Sequence, residues 1–246
     1  MKTLFYFSSF KTLGLCVATV LALLAASAAQ AGSFMVAPVR IYMTLKDRAV
    51  AVTLRNESDT EVLLQAELNT WTQKADGTDE LVPTDDLILS PPIIKLPPRG
   101  TQVVRLARLV PPDASRQLTY RMIIREIPEV KAKEGINIPF ALALSLPVFI
   151  TPPPAARQMA CELAKTEAKL ATLTCANTGS AYAQTREVSL KYANGTLVKL
   201  DGGGYVLPGA KRVMPYKSES DIPSGAALME VKFDDGKTLG SSIDVR

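Results

Sequence analysis

The sequence predicts an all-β protein built as two β-sandwiches, and three observations carry that expectation. Short runs rich in Val, Ile, Leu, Thr and Tyr recur between breaks of Pro, Gly, Asn and Asp, the punctuation of strands joined by turns. Beyond the N-terminal segment no stretch repeats apolar residues at the helical period. Thr151-Pro152-Pro153-Pro154 then interrupts the chain, and three prolines there remove donors and stiffen the backbone into an extended spacer.

Lys2 and Lys11 flank an opening that leads into the apolar run 13–26, and Ala29-Gln30-Ala31 has the small-residue form of a cleavage site. Residues 1–31 therefore read as a secretory signal peptide, with Gly32 as the mature N-terminus. Their apolar core is short of the roughly 20 residues that a spanning helix needs. The mature chain is expected outside the cytoplasm, soluble, with no membrane insertion after signal cleavage. The signal carries two lysines and no acid, so its removal lowers the formal charge from +4 to +2. That balance argues against nucleic acid or an anionic membrane as partner.

About 215 residues remain, enough for one large or two modest domains. The first domain is expected over residues 32–151, with strands at 34–43, 49–55, 62–70, 87–90, 101–109 and 120–127. Turn residues fill the gaps, among them Asn56-Glu57-Ser58, Ala75-Asp76-Gly77 and Pro97-Pro98-Arg99-Gly100. A seventh strand follows at 136–146, and seven strands at this spacing suit an immunoglobulin-like sandwich.

That seventh strand organises the functional reading. Ile136, Ile138, Phe140, Leu142, Leu144 and Leu146 stand at alternate positions, so one face of the strand is a continuous apolar row. An inner strand of a sandwich would look the same. Pro139 within the run, however, cannot donate to a ladder and places the strand at an edge or a partly unpaired position. A long apolar edge is an aggregation hazard; left open, it suits pairing with a partner that lacks a strand.

The spacer at 152–156 leads to a second sandwich over 157–246. Asn177-Thr178-Gly179, Asn194-Gly195, Asp201-Gly202-Gly203-Gly204 and Leu207-Pro208-Gly209 mark its turns. The triple glycine has no Gly-Lys-Ser/Thr ending and no helix pattern after it, so a flexible hairpin is expected there. Cys16 leaves with the signal, and Cys161 and Cys175 remain. In an oxidising compartment this pair is most simply one disulfide tying the first two strands of the second domain.

Enzymatic chemistry finds little material. The chain has no histidine, which removes the usual general base, the commonest metal ligand and every Ser-His or Cys-His nucleophile. Asp85-Asp86 and Asp234-Asp235 are the paired acids, and neighbours on a strand point to opposite faces. Met35, Met43, Met122, Met159, Met214 and Met229 show no clustered spacing that suggests copper. No catalysis, metal or other cofactor is expected, which leaves binding.

Several segments together resemble the periplasmic chaperones of the chaperone–usher pilus pathway. They are 34–41 with its Pro38-Val39-Arg40, Leu54-Arg55-Asn56, the tract from Ser90-Pro91-Pro92-Ile93 to Leu96-Pro97-Pro98, Gln102-Val103-Val104-Arg105-Leu106, and Tyr120-Arg121-Met122-Ile123-Ile124-Arg125-Glu126-Ile127-Pro128. The likeness spans the first domain; in the second it rests mainly on residues 173–179. It implies a boomerang of two immunoglobulin-like domains that binds newly secreted pilus subunits in the periplasm, lends each its missing strand, and delivers it to an outer-membrane usher without ATP. The donor at 136–146 stands immediately before the domain boundary, where the family has it. Self-association of the free chaperone is one way of hiding that strand.

The family also clamps the subunit's C-terminal carboxylate with two basic residues in the interdomain cleft. The first matches Arg40. The second, a lysine near the end of the donor strand, falls on Pro147, so either Arg40 acts alone or another cation replaces it. Arg105 and Arg108 are the candidates, and solvent-facing charges on a sheet are the alternative for both. Glu126 matches a family glutamate of an interdomain charge network; its expected basic partner is replaced by Thr151. A structural or adhesive immunoglobulin-like module is the rival reading, weakened because Phe34 follows the cleavage site with no N-terminal donor extension. A carbohydrate-binding sandwich is the other, and Trp71 as sole tryptophan leaves it without a stacking platform.

Overall fold

The computed structural model describes residues 34–128 and 141–246, and every regular element among them is a strand. The expected signal peptide, residues 129–135 and the expected donor positions Ile136, Ile138 and Phe140 lie outside the described residues. Among the described residues, ten strands precede the Pro-rich spacer: β1 (Phe34–Ala37), β2 (Ile41–Thr44), β3 (Ala49–Asn56), β4 (Val62–Gln73), β5 (Asp79–Pro83), β6 (Leu87–Ser90), β7 (Ile93–Leu96), β8 (Thr101–Arg108), β9 (Leu118–Ile127) and β10 (Ala143–Thr151). They form a four-stranded sheet in the order β1-β3-β8-β6 and a six-stranded one in the order β2-β10-β9-β4-β5, with β7 also paired to β4. Period-two apolar residues of both sheets meet in one core. Val52, Leu54, Val104 and Leu106 come from the first sheet, and Ile41, Met43, Leu64, Tyr120, Met122, Ile124, Val148 and Ile150 from the second.

The sequence pattern reads 34–43 as one strand, and the structure divides it. Pro38 supplies no N–H and a fixed φ, so the chain leaves the first sheet after β1, which pairs with β3, and re-enters in the second as β2, which pairs with β10. The two unexpected strands are β5, exposed at all its positions and so without an apolar period, and the four-residue β7 behind Pro91-Pro92. Asn56 is buried at the end of β3, where its Nδ2 donates to the carbonyls of Thr60, Leu96 and Pro97. Its counterpart Asn177 donates to those of Ala181 and Val206.

Seven strands follow the spacer: β11 (Met159–Lys165), β12 (Leu170–Asn177), β13 (Ala183–Tyr192), β14 (Leu197–Val206), β15 (Lys211–Ser218), β16 (Gly225–Phe233) and β17 (Thr238–Val245). Their hydrogen-bonded order is β11-β12-β15-β14-β13-β16-β17. The sheet curls until its first and last strands lie against each other, and the inward residues fill a second core that includes Leu173, Val188, Leu190, Leu200, Tyr216, Met229 and Val231. The disulfide Cys161–Cys175 joins β11 to β12. Both halves are thus immunoglobulin-like sandwiches.

The triple glycine is no hairpin. The turn lies earlier, at Asn194-Gly195, and Gly202, Gly203 and Gly204 sit inside β14. Here β14 leaves β15 at Gly202 and continues along β13 alone, past a bulge at Thr185 to Glu187. A Cβ on Gly202 would meet the Pro215 carbonyl at 2.6 Å, and one on Gly203, with φ of +143°, would run into the Thr185 carbonyl. Only glycine combines that backbone with that approach. The bend aims Tyr205 and Leu207 at the first sandwich. Gly203→Ala is expected to lower stability by about 1–3 kcal/mol, read as a lower urea midpoint.

Candidate functional site

The last four residues of the segment singled out by its apolar alternation, 143–146, open β10, and among the described residues their pairing is one-sided. On one edge β10 runs antiparallel to β9 from Ala143, opposite Arg125, to Ile150, opposite Leu118. On the other edge β2 joins it in parallel only from Val148, opposite Ile41. From Ala143 to Pro147, β10 has no second strand beside it among the described residues. The Leu142 carbonyl accepts from Glu126 N–H at 2.9 Å, so the ladder to β9 runs through the even positions. The N–H and C=O of Ala143 and Ser145 therefore point to the open edge, and Pro147 brings no N–H there. Leu146 is buried, whereas Leu142 and Leu144 are half-buried and pack against the end of the core.

Below this edge the outward face of the same sheet meets the second sandwich. Phe149 points outward from β10 yet is wholly buried. Tyr182 stacks on it with ring centres 4.0 Å apart, and Tyr42 with centres 5.7 Å apart. Trp71 on β4 takes the edge of Tyr205 at 5.1 Å, and Leu207 completes the cluster. Polar ties fix the register of this contact. Gln73 Nε2 donates to the Tyr205 carbonyl at 2.9 Å while its Oε1 accepts from Leu207 N–H at 3.0 Å. Gln117, also buried, donates to Thr151 Oγ1 at 2.7 Å and accepts from Tyr182 N–H at 2.9 Å. Arg212 of β15 meets Asp79 of β5 at 3.4 Å.

Arg40 stands at the junction of the open edge and this cleft. It precedes Ile41, the first residue of β2 paired to β10, and shares the outward face with Tyr42. Its Nη1 donates to Asp234 Oδ2 at 2.6 Å, and Asp234 also accepts from the Tyr182 hydroxyl at 3.2 Å. The Tyr182 and Tyr42 hydroxyls lie 2.8 Å apart. Burial works against the charge of Arg40, but hydrogen bonding to Tyr42, the field of Tyr205 and the bond to Asp234 hold its pKa above the ordinary value. Burial, with Tyr42 and Asp234, pushes the Tyr182 hydroxyl up. Tyr182 is therefore a neutral donor across the usual pH range.

The position of the missing lysine has a neighbour that sequence reasoning passed over. Pro147 pairs with Arg121 on β9, and extending the β2 register by one residue sets Arg40 on its other side. The Arg121 guanidinium lies 3.7 Å above the Trp71 ring and 5.4 Å from the Tyr205 ring, which Arg40 approaches to 5.9 Å. Burial lowers the pKa of Arg121, and no carboxylate pairs with it among the described residues. Arg121 stands within the resembling run around Tyr120, but only the register shows it beside Pro147.

Arg105 and Arg108 do not join this group, because β8 belongs to the other sheet. Arg105 is exposed on the outward face of that sheet. Arg108 donates to the carbonyls of Val110 at 2.8 Å and Leu45 at 3.3 Å. Glu126 lies inward in phase, opposite Leu64, but eight residues along β9 from Leu118, roughly 27 Å from the hinge at strand rise. The interdomain ties described above run through Gln117, Gln73, Arg40 and Asp234 instead.

The family model for pili and flagellar-assembly chaperones, PapD N-terminal domain, matches residues 33–155. No curated protein matches the chain in sequence. Among solved structures, the chain is similar to the CsuC–CsuE chaperone–tip adhesion subunit pre-assembly complex from archaic chaperone-usher Csu pili of Acinetobacter baumannii. There the TM-score is 0.61 at 19% identity over 87% of this chain and 100% of that one. The Pseudomonas aeruginosa CupB2 chaperone gives 0.54 at 19% identity over 86% and 100%. The Salmonella enterica SafA pilin in complex with the SafB chaperone gives 0.57 at 15% identity over 88% and 98%. At these identities the likeness is one of fold.

Phe149 is wholly buried among the rings of Tyr42, Trp71, Tyr182 and Tyr205, so Phe149→Ala is expected to cost about 3–5 kcal/mol. Calorimetry checks this, and a transition unchanged from that of the parent chain would contradict it.

Proposed function

Because the chain belongs to the family of pili and flagellar-assembly chaperones, we propose that it is a periplasmic chaperone that lends the open edge of β10 to pilus subunits lacking a strand and passes them to an outer-membrane usher. The observation that carries this reading is the one-sided pairing of Ala143 to Pro147. The complexes with a tip adhesion subunit and with a pilin among the similar structures support subunits as the partner class. The signal-like residues 1–31 support the periplasm.

The edge dictates how a guest strand sits. It pairs with the N–H and C=O groups of Ala143 and Ser145, which face the edge left open among the described residues, and ends head-on where β2 begins, at Arg40. A cation there favours the guest's terminal carboxylate over its amino end, so the guest runs parallel to β10 with its C-terminus at the hinge. Arg121, across Pro147, is the second cation of this neighbourhood. Covering half-buried Leu142 and Leu144 contributes about 1 kcal/mol each, and the apolar row Ile136, Ile138 and Phe140 extends the donor by sequence pattern. Without a guest, the same edge suits pairing with a second copy of the chain.

The test is capture of subunits from periplasmic extract on immobilised chain, with bound proteins identified by mass. Leu142→Glu is expected to abolish capture with the circular dichroism unchanged, and full capture would reject strand lending. Arg40→Gln is expected to weaken capture several-fold.

A further inference from the structure

The geometry points to Asp234 as a built-in stand-in for the guest's carboxylate: in the free chain it caps Arg40, and it yields Arg40 when a chain end arrives. This rests on the strand-lending function proposed above.

The two partners are unequally placed. Asp234 belongs to the tight turn after β16, where its N–H donates to the Gln184 carbonyl at 3.0 Å and Phe233 N–H to the Lys237 carbonyl at 2.9 Å. Its side chain is 9% exposed, against 24% for Arg40. The carboxylate is thus held and shielded, while the long arginine side chain keeps a face toward solvent. Arg40 gives Asp234 one donor, Nη1, and a guanidinium has five N–H donors in a planar fork, so beside Asp234 and Tyr42 it retains donors for a second carboxylate. The adjacent Asp235 is committed elsewhere, taking Nη1 and Nη2 of Arg157 at 2.9 Å each.

Two carboxylates on one guanidinium repel, so a guest's chain end gains Arg40 at the expense of Asp234. Asp234 keeps a donor after the exchange, because the Tyr182 hydroxyl remains at 3.2 Å; it is not left bare in a shielded site. The capture of a chain end is then an exchange of one carboxylate for another. That lowers affinity for the guest and eases its hand-over. By reciprocity, guest binding loosens the Arg40–Asp234 tie between the sandwiches by the same free energy.

The experiment uses two N-acetylated, fluorescently labelled peptides of one alternating Thr/Val sequence of about ten residues, a long strand. One ends in a carboxylate and the other in a carboxamide. Asp234→Asn, which keeps the shape and an acceptor for Tyr182, is expected to tighten binding of the carboxylate peptide roughly fivefold, the equivalent of about 1 kcal/mol, and to leave the carboxamide peptide unchanged. Unchanged or weaker carboxylate binding overturns the cap. If parent and variant bind both peptides equally, Arg40 does not read chain ends and the cap falls, while strand lending stands. If neither peptide binds, strand lending and the cap fall together. Should the variant not fold, the side-chain carboxyl 13C resonance of Asp234 in the parent chain decides: it is expected to move with the carboxylate peptide alone, and a resonance that stays put overturns the proposal.

Discussion

The structure depends on a change of partner along one strand. The hinge half of β10 is paired on both edges, by β9 and β2, and the other half by β9 alone among the described residues. Pro38 sets this difference. It hands Phe34–Ala37 to the opposite sheet and lets the chain rejoin the second sheet only at Ile41, so β2 is too short to cover the rest of β10. A ladder left unpaired over Ala143 to Pro147 keeps its N–H and C=O groups available to a partner. The doubly paired half anchors the strand while the other half is exposed.

The same junction holds the cleft. β2 begins where the open edge ends, so the residue before it, Arg40, faces both the edge and the second sandwich. Tyr42 and Phe149, next along the outward face, receive Tyr182, and Trp71 receives Tyr205. An aromatic contact of this kind gains from area and ring geometry together. Gln73 and Gln117 add direction: Gln73 both donates and accepts across the hinge, and Gln117 accepts across it from Tyr182 N–H while donating to Thr151. The glycines of β14 belong to this arrangement, since their bend brings Tyr205 between Arg40 and Arg121.

Much of the fold was legible because period-two alternation reports burial directly. The apolar positions of β3, β8 and β9 face the core as the pattern predicts, and Cys161 and Cys175 are cross-strand partners. β5 was not legible, because an exposed strand has no period, and the triple glycine misled because a bend inside a strand uses the same residues as a turn. At the site, Arg40 was visible through the segment around it. Arg105 and Arg108 were candidates because an intervening strand can reach the same cleft, and sheet membership separates them from Arg40. Arg121, Gln117 and Asp234 stand on strands or turns whose neighbours are far away in the chain, and no local signal assigns them to this site.

By itself the sequence determined the class of fold with its two sandwiches and the thiol pair, because each follows from local spacing and residue chemistry. Tertiary structure alone decided which half of β10 is open, which arginine flanks Pro147 and which carboxylate meets Arg40. Those are matters of register and of contact between residues as far apart as Arg40 and Asp234, and a chain specifies them only through the packing that brings its sheets together.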